Sequence, residues 1–280
     1  AGELLKNAEE LLDQDIHPTA VMRGFDMASE KAREEVDDIA IEVDRDDEEL
    51  LRKVAETSMT GKGAEQRKDL LAQLVVDAAR AVTVEADDGS VIVDRAFVDM
   101  ETQTGRSAAE SELLEGAVLD KEPVHEDMPT DWEDADVLLL DRALELDEAE
   151  VDTQVSVSDP DQLKTFLDKE EEQLKEMVDK IADLGADVVF CQKGIDDMVQ
   201  HYLAKEGILA VRRAKKSDLE FLTEVIGARI VSDLDTAEPG QLGSANITFD
   251  ETDELFYVEG TAEETHGVTI LLRGSTEHVV

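Results

Sequence analysis

Residues 187–212 read DVVFCQKGIDDMVQHYLAKEGILAVR. The short apolar runs at 187–191 and 208–212 are typical of buried strands. Between them, residues 195–205 have the apolar spacing of an amphipathic helix. A strand, a helix and a second strand at these distances predict an α/β domain with some parallel strand pairing.

The same alternation continues on both sides of this unit. A long predicted helix at 160–184 precedes it, and a helix at 217–226 followed by a strand at 229–231 comes after it. Residues 89–157 instead contain short apolar runs between acidic or Gly/Pro turns, and residues 1–84 have helical spacing. We therefore predict a multidomain protein with a helical part, a mixed α/β hinge part and an α/β domain.

Acidic residues dominate the composition. The 280-residue chain has 71 Asp and Glu against 27 Lys and Arg, which gives a formal net charge of −44. Such a surface repels phosphate backbones and anionic lipids, so we expect no binding to nucleic acid or membranes. The even spread of carboxylates indicates adaptation to molar salt, where the Debye length is about 3 Å. An ordinary acidic protein is the alternative, and loss of structure below molar salt distinguishes the two.

The two ends of the sequence resemble the interior of a longer protein. Ala1 is followed at once by an amphipathic run with Leu4, Leu5 and Leu12, and no helix cap precedes it. At the other end, the apolar run at 268–272 reads as a buried strand and is followed by only half a helical turn. We expect the sequence to be an internal fragment.

Signatures of common catalytic sites are absent from the sequence, including the nucleophile elbow, the zinc-protease motif, the P-loop and the full dinucleotide fingerprint. The best phosphate-binding candidate is TSMTGKG at residues 57–63, which offers hydroxyls, backbone amides and one cation ahead of a helix. A helix-to-helix turn with ordinary capping is the alternative. The single cysteine, Cys191, excludes an internal disulfide.

Three other polar clusters have plain explanations. Residues 125–127 (His-Glu-Asp) are compatible with a divalent ion but more typical of a solvated loop in so acidic a chain. Asp196 and Asp197 open a helix, where they complement its dipole. The basic cluster at 212–216 is expected to pair with carboxylates of this chain or of a neighbouring subunit, and a phosphate or acidic-peptide site is the alternative.

The predicted helix at 160–184 has two apolar sections. Its C-terminal half carries a core stripe of Leu174, Met177, Val178, Ile181 and Leu184. Leu163, Phe166 and Leu167 continue the stripe beyond an acidic interruption. The helix is either one long core helix or one whose first half projects and offers apolar side chains to another molecule.

Several stretches, taken in order, resemble the group II chaperonins, the family of the archaeal thermosome and the eukaryotic cytosolic chaperonin. The resemblance covers essentially the whole chain, and the acidic composition points to a haloarchaeal member. The stretches that carry it are AGELL (1–5), DIHPT (15–19), RGF (23–25), TSMTGKG (57–63), SDP (158–160), CQKGIDD (191–197), QHYLAK (200–205), AVRRAKKSD (210–218) and VTILLRG (268–274).

The resemblance implies three domains, of which the middle one is entered twice. Residues 1–46 would belong to a partial, helical equatorial domain that binds ATP. Residues 47–116 and 269–280 would form the intermediate hinge. Residues 117–268 would be the apical substrate-binding domain, with a helical lid protrusion at about 151–180.

The resemblance also implies functional residues. Thr60, Gly61 and Lys62 would sense the nucleotide. Substrate or lid contacts would come from Leu163, Phe166, Leu167, Asp197, Gln200, His201 and Lys205. ATP and Mg²⁺ would be bound mainly by parts outside this sequence, so we expect no catalytic residue and no metal ligand within it, and no activity of the fragment alone.

The function implied is that of an ATP-hydrolysing chaperone of a salt-rich cytoplasm. Identical or paralogous subunits would form a double ring that binds and encloses non-native polypeptides under a built-in lid. Two other functions stay open at this stage. One is a halophilic α/β enzyme with a phosphate-binding loop at 57–63, and the other is an unfolded-protein binding module that needs no ATP.

Overall fold

The computed structural model describes residues 2–44, 46–61, 67–85, 91–146, 160–262 and 266–276. The chain divides into two compact units, Ala1–Leu51 and Arg52–Val280. Within the described residues, no helix is both long and apolar enough to cross a membrane. The described part of the first unit is helical, and every strand that the structure describes belongs to the second.

The helices are α1 (Gly2–Asp13), α2 (Pro18–Ile39), α3 (Glu48–Met59), α4 (Lys68–Ala81), α5 (Pro160–Leu184), α6 (Asp197–Glu206) and α7 (Lys216–Ile226). The strands are β1 (Thr83–Glu85), β2 (Val91–Val93), β3 (Val98–Thr104), β4 (Glu112–Glu115), β5 (Ala117–Asp120), β6 (Asp131–Leu140), β7 (Val188–Cys191), β8 (Leu209–Val211), β9 (Ile230–Val231), β10 (Gly243–Asp250), β11 (Leu255–Gly260) and β12 (Val268–Gly274).

A seven-stranded sheet forms the core of the second unit, in the order β5-β11-β10-β6-β7-β8, with β9 beside the end of β6. Strands β6, β7 and β8 are parallel, whereas β5, β11, β10 and β6 pair antiparallel. The predicted mixed α/β fold with some parallel strand pairing is therefore confirmed. Every residue of β7 and β8 is buried, which explains their unbroken apolar sequences.

A smaller sheet has β12 at its centre, parallel to β3 and antiparallel to β4. Side chains of β12 alternate between two faces. Val268 and Ile270 pack against Leu74 and Ala78 of α4. Leu271 points the other way and packs against residues of β5 and β11. Strand β12 therefore belongs to the three-stranded sheet and contacts the seven-stranded sheet through its other face.

Helix boundaries agree with the sequence in some places and differ in others. Helix α5 covers the predicted 160–184. Helix α6 begins two residues later than predicted, because Asp196 is its N-cap and accepts a 2.8 Å bond from the amide of Met198. The predicted loop at 57–63 is wrong in its first part, since α3 continues to Met59. The end of the region 89–157, for which short apolar runs predicted strands, lies outside the described residues from 147 onward.

Candidate functional site

The chain passes twice between the three-stranded sheet and the seven-stranded sheet, and the two crossings lie side by side. The first crossing is at Gly116, between β4 and β5, and the second is at Gly267, just before β12. The amide of Gly116 donates to the carbonyl of Gly267 at 2.8 Å. The hydroxyl of Thr269 donates to the carbonyl of Gly116, also at 2.8 Å. A motion of one sheet relative to the other must therefore act on this paired crossing.

Gly116 permits the close approach at the crossing. Its φ is +91°, a conformation that residues with a side chain rarely adopt. A methyl group here would overlap the carbonyl oxygen of Val258 and lie 3.1 Å from the Cα of Glu259. Only glycine therefore fits where β4 leads into the pairing of β5 with β11.

A cluster of charged side chains joins the two sheets on the face of β12 that carries Leu271. Arg273 lies near the end of β12, and its Nη1 donates to Oδ2 of Asp253 at 2.8 Å. Asp253 belongs to the turn between β10 and β11 of the seven-stranded sheet. The other oxygen of Asp253 accepts from Arg106 at 2.9 Å and 2.6 Å. Arg273 also donates to Glu112 of β4, at 3.3 Å, and to the side-chain oxygen of Gln103.

The electrostatics of this cluster favour its charged form. Burial acts to raise the pKa of the Asp253 carboxyl, but hydrogen bonds from Arg273, Arg106 and Gln103 outweigh burial and hold this pKa below its ordinary value. Burial likewise acts to lower the pKa of Arg273, and its bonds with Asp253 and Glu112 raise it overall. Both partners are thus ionised at neutral pH.

The surface of α5 and α6 contains most of the predicted substrate contacts. Phe166 and Leu167 of α5 are 38% and 53% exposed. Phe166 lines an open groove of about 450 Å³ together with Leu146 and Met177. The side chain of Leu163 lies outside the described residues.

On α6, Asp197, His201 and Lys205 are exposed and follow one another at intervals of four residues, so they form one face of the helix. The hydroxyl of Tyr202 donates to Glu171 of α5 at 2.8 Å, which links the two helices. The structure therefore brings exposed polar and apolar side chains of both helices into one neighbourhood.

Gln200, predicted as a substrate or lid contact, does not belong to this exposed face. It is only 6% exposed. Its amide donates to the carbonyl of Ile195 at 2.7 Å and to Asp197 at 3.2 Å, so it holds the first turn of α6 together. Helical spacing places residue 200 on the inner side, next to Val199 and Leu203, which are fully buried.

Two hydroxyls of the phosphate-binding candidate at 57–63 already have hydrogen-bond partners within α3 and its end. The hydroxyl of Thr57 donates to the carbonyl of Lys53 at 2.7 Å, and that of Thr60 donates to the carbonyl of Glu56 at 3.0 Å. Both hydroxyls are thus engaged within the helix end. Gly61 adopts a positive φ of 77° just after the helix. Lys62 lies outside the described residues.

The other polar candidates are the loop at 125–127, the basic cluster at 212–216 and Cys191. Among the described residues, no group of three metal-ligating side chains is found, and this includes 125–127. Lys216 pairs with Glu220 at 3.1 Å, while Arg212 and Arg213 are exposed. Burial raises the pKa of the Cys191 thiol to about 11, so it is not a thiolate at neutral pH.

Sequence reasoning missed the cluster around Arg273. One signal was available, because an arginine in an otherwise apolar strand must find a partner if the strand is buried. The identity of that partner could not be read, since Asp253 is one of many carboxylates in the chain.

The chain matches known proteins over its whole length. The sequence profile of the TCP-1/cpn60 chaperonin family matches residues 1–280. Thermosome subunit 2 of Haloferax volcanii is 67% identical, and thermosome subunit beta of Halobacterium salinarum is 62% identical, both over 280 residues. These residues are 100% of this chain and 50% of each relative, so the chain spans about half their length.

A solved structure matches as well. It is the open-state monomer of a group II chaperonin from Methanococcoides burtonii, with 40% sequence identity and a TM-score of 0.74. The match covers 99% of this chain and 63% of that one.

Proposed function

Because the chain belongs to the TCP-1/cpn60 chaperonin family, we propose that it forms the hinge and client-binding parts of an ATP-dependent chaperone subunit. The full-length subunit assembles with identical or paralogous subunits into a double ring in a salt-rich cytoplasm. The ring binds non-native polypeptides and encloses them under a lid. Hydrolysis of ATP, with Mg²⁺, drives the opening and closing.

The observation that carries this proposal is the paired crossing at Gly116 and Gly267. A domain that is inserted into another one must be entered and left at one place, and the two chain segments meet here at 2.8 Å. In the proposed organisation, residues 47–116 and 269–280 are the hinge and residues 117–268 are the client-binding domain. Residues 1–46 are part of the ATP-binding domain.

The client-binding surface is formed by the exposed faces of α5 and α6. Phe166 and Leu167 supply apolar area, and Asp197, His201 and Lys205 supply polar contacts. Such a mixed surface suits unfolded chains, which expose both apolar side chains and unpaired backbone groups. Residue 200 is left out because its side chain is buried. Residues 151–180, which include most of α5, are the proposed lid protrusion.

Nucleotide is sensed by the segment Thr60-Gly61-Lys62 in this proposal. A lysine is a compact, flexible cation that suits a terminal phosphate. Gly61, with a positive φ of 77°, follows α3 and allows the chain to turn into this segment.

The rival functions have less support. A phosphate-binding enzyme would need catalytic residues beside its phosphate loop, and the sequence contains none of the common catalytic signatures. A passive binding module would hold unfolded chains equally well with and without ATP. The proposed function and the passive module therefore differ in a measurable way.

The test uses the full-length protein in molar salt. Sedimentation should show a large ring assembly, and a chemically unfolded client protein should be captured without nucleotide and released folded after ATP is added. Capture that is indifferent to ATP would support the passive module. A monomer that captures no client would contradict both functions.

A further inference from the structure

Three side chains on one face of β12 attach this strand to the seven-stranded sheet. They are Thr269, Leu271 and Arg273, which alternate along the strand with the side chains that face α4. Thr269 bonds Gly116 at the crossing, Leu271 packs against β5 and β11, and Arg273 pairs with Asp253. The first and the last of these attachments are about 13 Å apart along the strand.

The Asp253–Arg273 pair differs from the other ion pairs in its burial. The two side chains are 5% and 4% exposed, and it is the one pair among the described residues in which both are below 10%. At molar salt the Debye length is about 3 Å, so exposed pairs are largely screened while buried pairs are screened much less. In a salt-rich cytoplasm this pair keeps its strength.

The position of the pair matters as much as its strength. A strand held only at the paired crossing can pivot there, because one attachment fixes a point but not a direction. A second attachment about 13 Å away also fixes the direction of the strand. Arg106 adds to this second attachment from the loop after β3, since it donates to the same carboxylate.

We propose that Asp253 and Arg273 are positioning residues that transmit movement of the three-stranded sheet to the client-binding lobe, which is the proposed domain of residues 117–268. With the pair intact, the lobe follows β12 whenever the nucleotide-driven hinge moves. With the pair broken, Thr269 and Leu271 still attach the strand, but the lobe pivots more freely at Gly116 and Gly267, and hydrolysis closes the lid less completely. This inference rests on the proposed function, because it assumes that ATP drives the movement.

The test is Asp253→Asn in the full-length protein, which removes the charge and keeps the shape. Two quantities are measured in molar salt: the rate of ATP hydrolysis, and the ATP-dependent protection of α5 from chymotrypsin at Phe166 and Leu167. We expect hydrolysis within about twofold of the wild type and cleavage in ATP at least about fivefold faster, which converts to about 1 kcal/mol in the closing equilibrium. Asp253→Glu, which keeps the charge, should restore part of the protection.

Two further variants separate coupling from general damage. Glu220→Gln breaks an exposed pair with Lys216 on α7, which has a 3.1 Å contact, and should leave protection unchanged. Arg106→Gln weakens the same attachment without leaving Arg273 unpaired, so it gives a result even if Asp253→Asn does not fold. Its protection should lie between those of the wild type and Asp253→Asn.

The outcomes have distinct meanings. Wild-type protection in a folded Asp253→Asn or in Arg106→Gln overturns the coupling proposal and leaves the proposed function intact. An equal loss of protection in Glu220→Gln also overturns it. A wild-type protein without any ATP-dependent protection contradicts the proposed function itself.

Discussion

Replacement of Gly116 by alanine tests the geometry of the crossing. Two costs add in this variant. The positive φ of +91° costs an alanine about 1–3 kcal/mol. The new methyl group also overlaps the carbonyl oxygen of Val258, and because the obstacle is backbone, relief requires a shift of β11 that costs about 1–3 kcal/mol more.

Gly185 provides the matched control. It follows α5 with a φ of +87°, and a methyl group there would meet nothing within 4 Å. Gly185→Ala therefore has the conformational cost alone. The difference between the variants, about 1–3 kcal/mol, isolates the close approach at the crossing.

Thermal unfolding in molar salt measures this difference. For a unit of this size, each kcal/mol lowers the midpoint by about 2–4 °C, so Gly116→Ala should unfold about 2–12 °C below Gly185→Ala. Equal midpoints for the two variants would contradict this prediction, because the overlap with Val258 would then have no energetic consequence.

Three other predictions concern the charge cluster, the helix surface and the buried amide. The pKa of Asp253 is held below its ordinary value, so its carboxylate stabilises the fold above about pH 4, and this contribution is lost as the pH falls through the folded-state pKa. Asp253→Asn should therefore lose less stability than the wild type during acid titration, and parallel curves would count against the pairing. Joint replacement of Phe166 and Leu167 by aspartate should impair lid closure or client capture in the full-length protein. The rate of ATP hydrolysis should stay within about twofold of the wild type, since neither side chain belongs to the proposed nucleotide segment. A collapse of hydrolysis would contradict the assignment of these residues. Gln200→Ala should cost about 1–3 kcal/mol of stability without weakening client capture. His201→Ala should weaken client capture with little loss of stability. Weaker capture by a folded Gln200→Ala would contradict the burial argument.

Much of the fold could be read from local patterns. Strands β7 and β8 are unbroken apolar runs because both of their faces are buried, and α5 carries a stripe at helical spacing in its packed half. These signals arise within one element, so they are visible in a single sequence.

Features that depend on partners far along the chain could not be read. Asp253 is separated from Arg106 by 147 positions, and nothing local distinguishes it from other carboxylates. The hydrogen bond between Gly116 and Gly267 likewise joins residues that are far apart in the sequence. The family resemblance indicated where the chain crosses between domains, but the contacts at the crossing required the fold.

Gln200 shows how position on a helix can mislead. The resemblance suggested a contact surface along α6, but only some of its residues face outward. Asp197 and His201 are exposed, whereas Gln200 is turned inward and bonds the carbonyl of Ile195. A polar side chain in a helix can satisfy the helix itself instead of a ligand.

In the proposed function, ATP moves the client-binding lobe and thereby covers the first half of α5. Limited chymotrypsin digestion of the full-length wild-type protein in molar salt tests it most directly, because Phe166 and Leu167 are exposed cleavage sites. We expect cleavage there without nucleotide and at least about tenfold slower cleavage with ATP, equivalent to about 1.4 kcal/mol in favour of the closed state. Equal cleavage rates with and without ATP would contradict it.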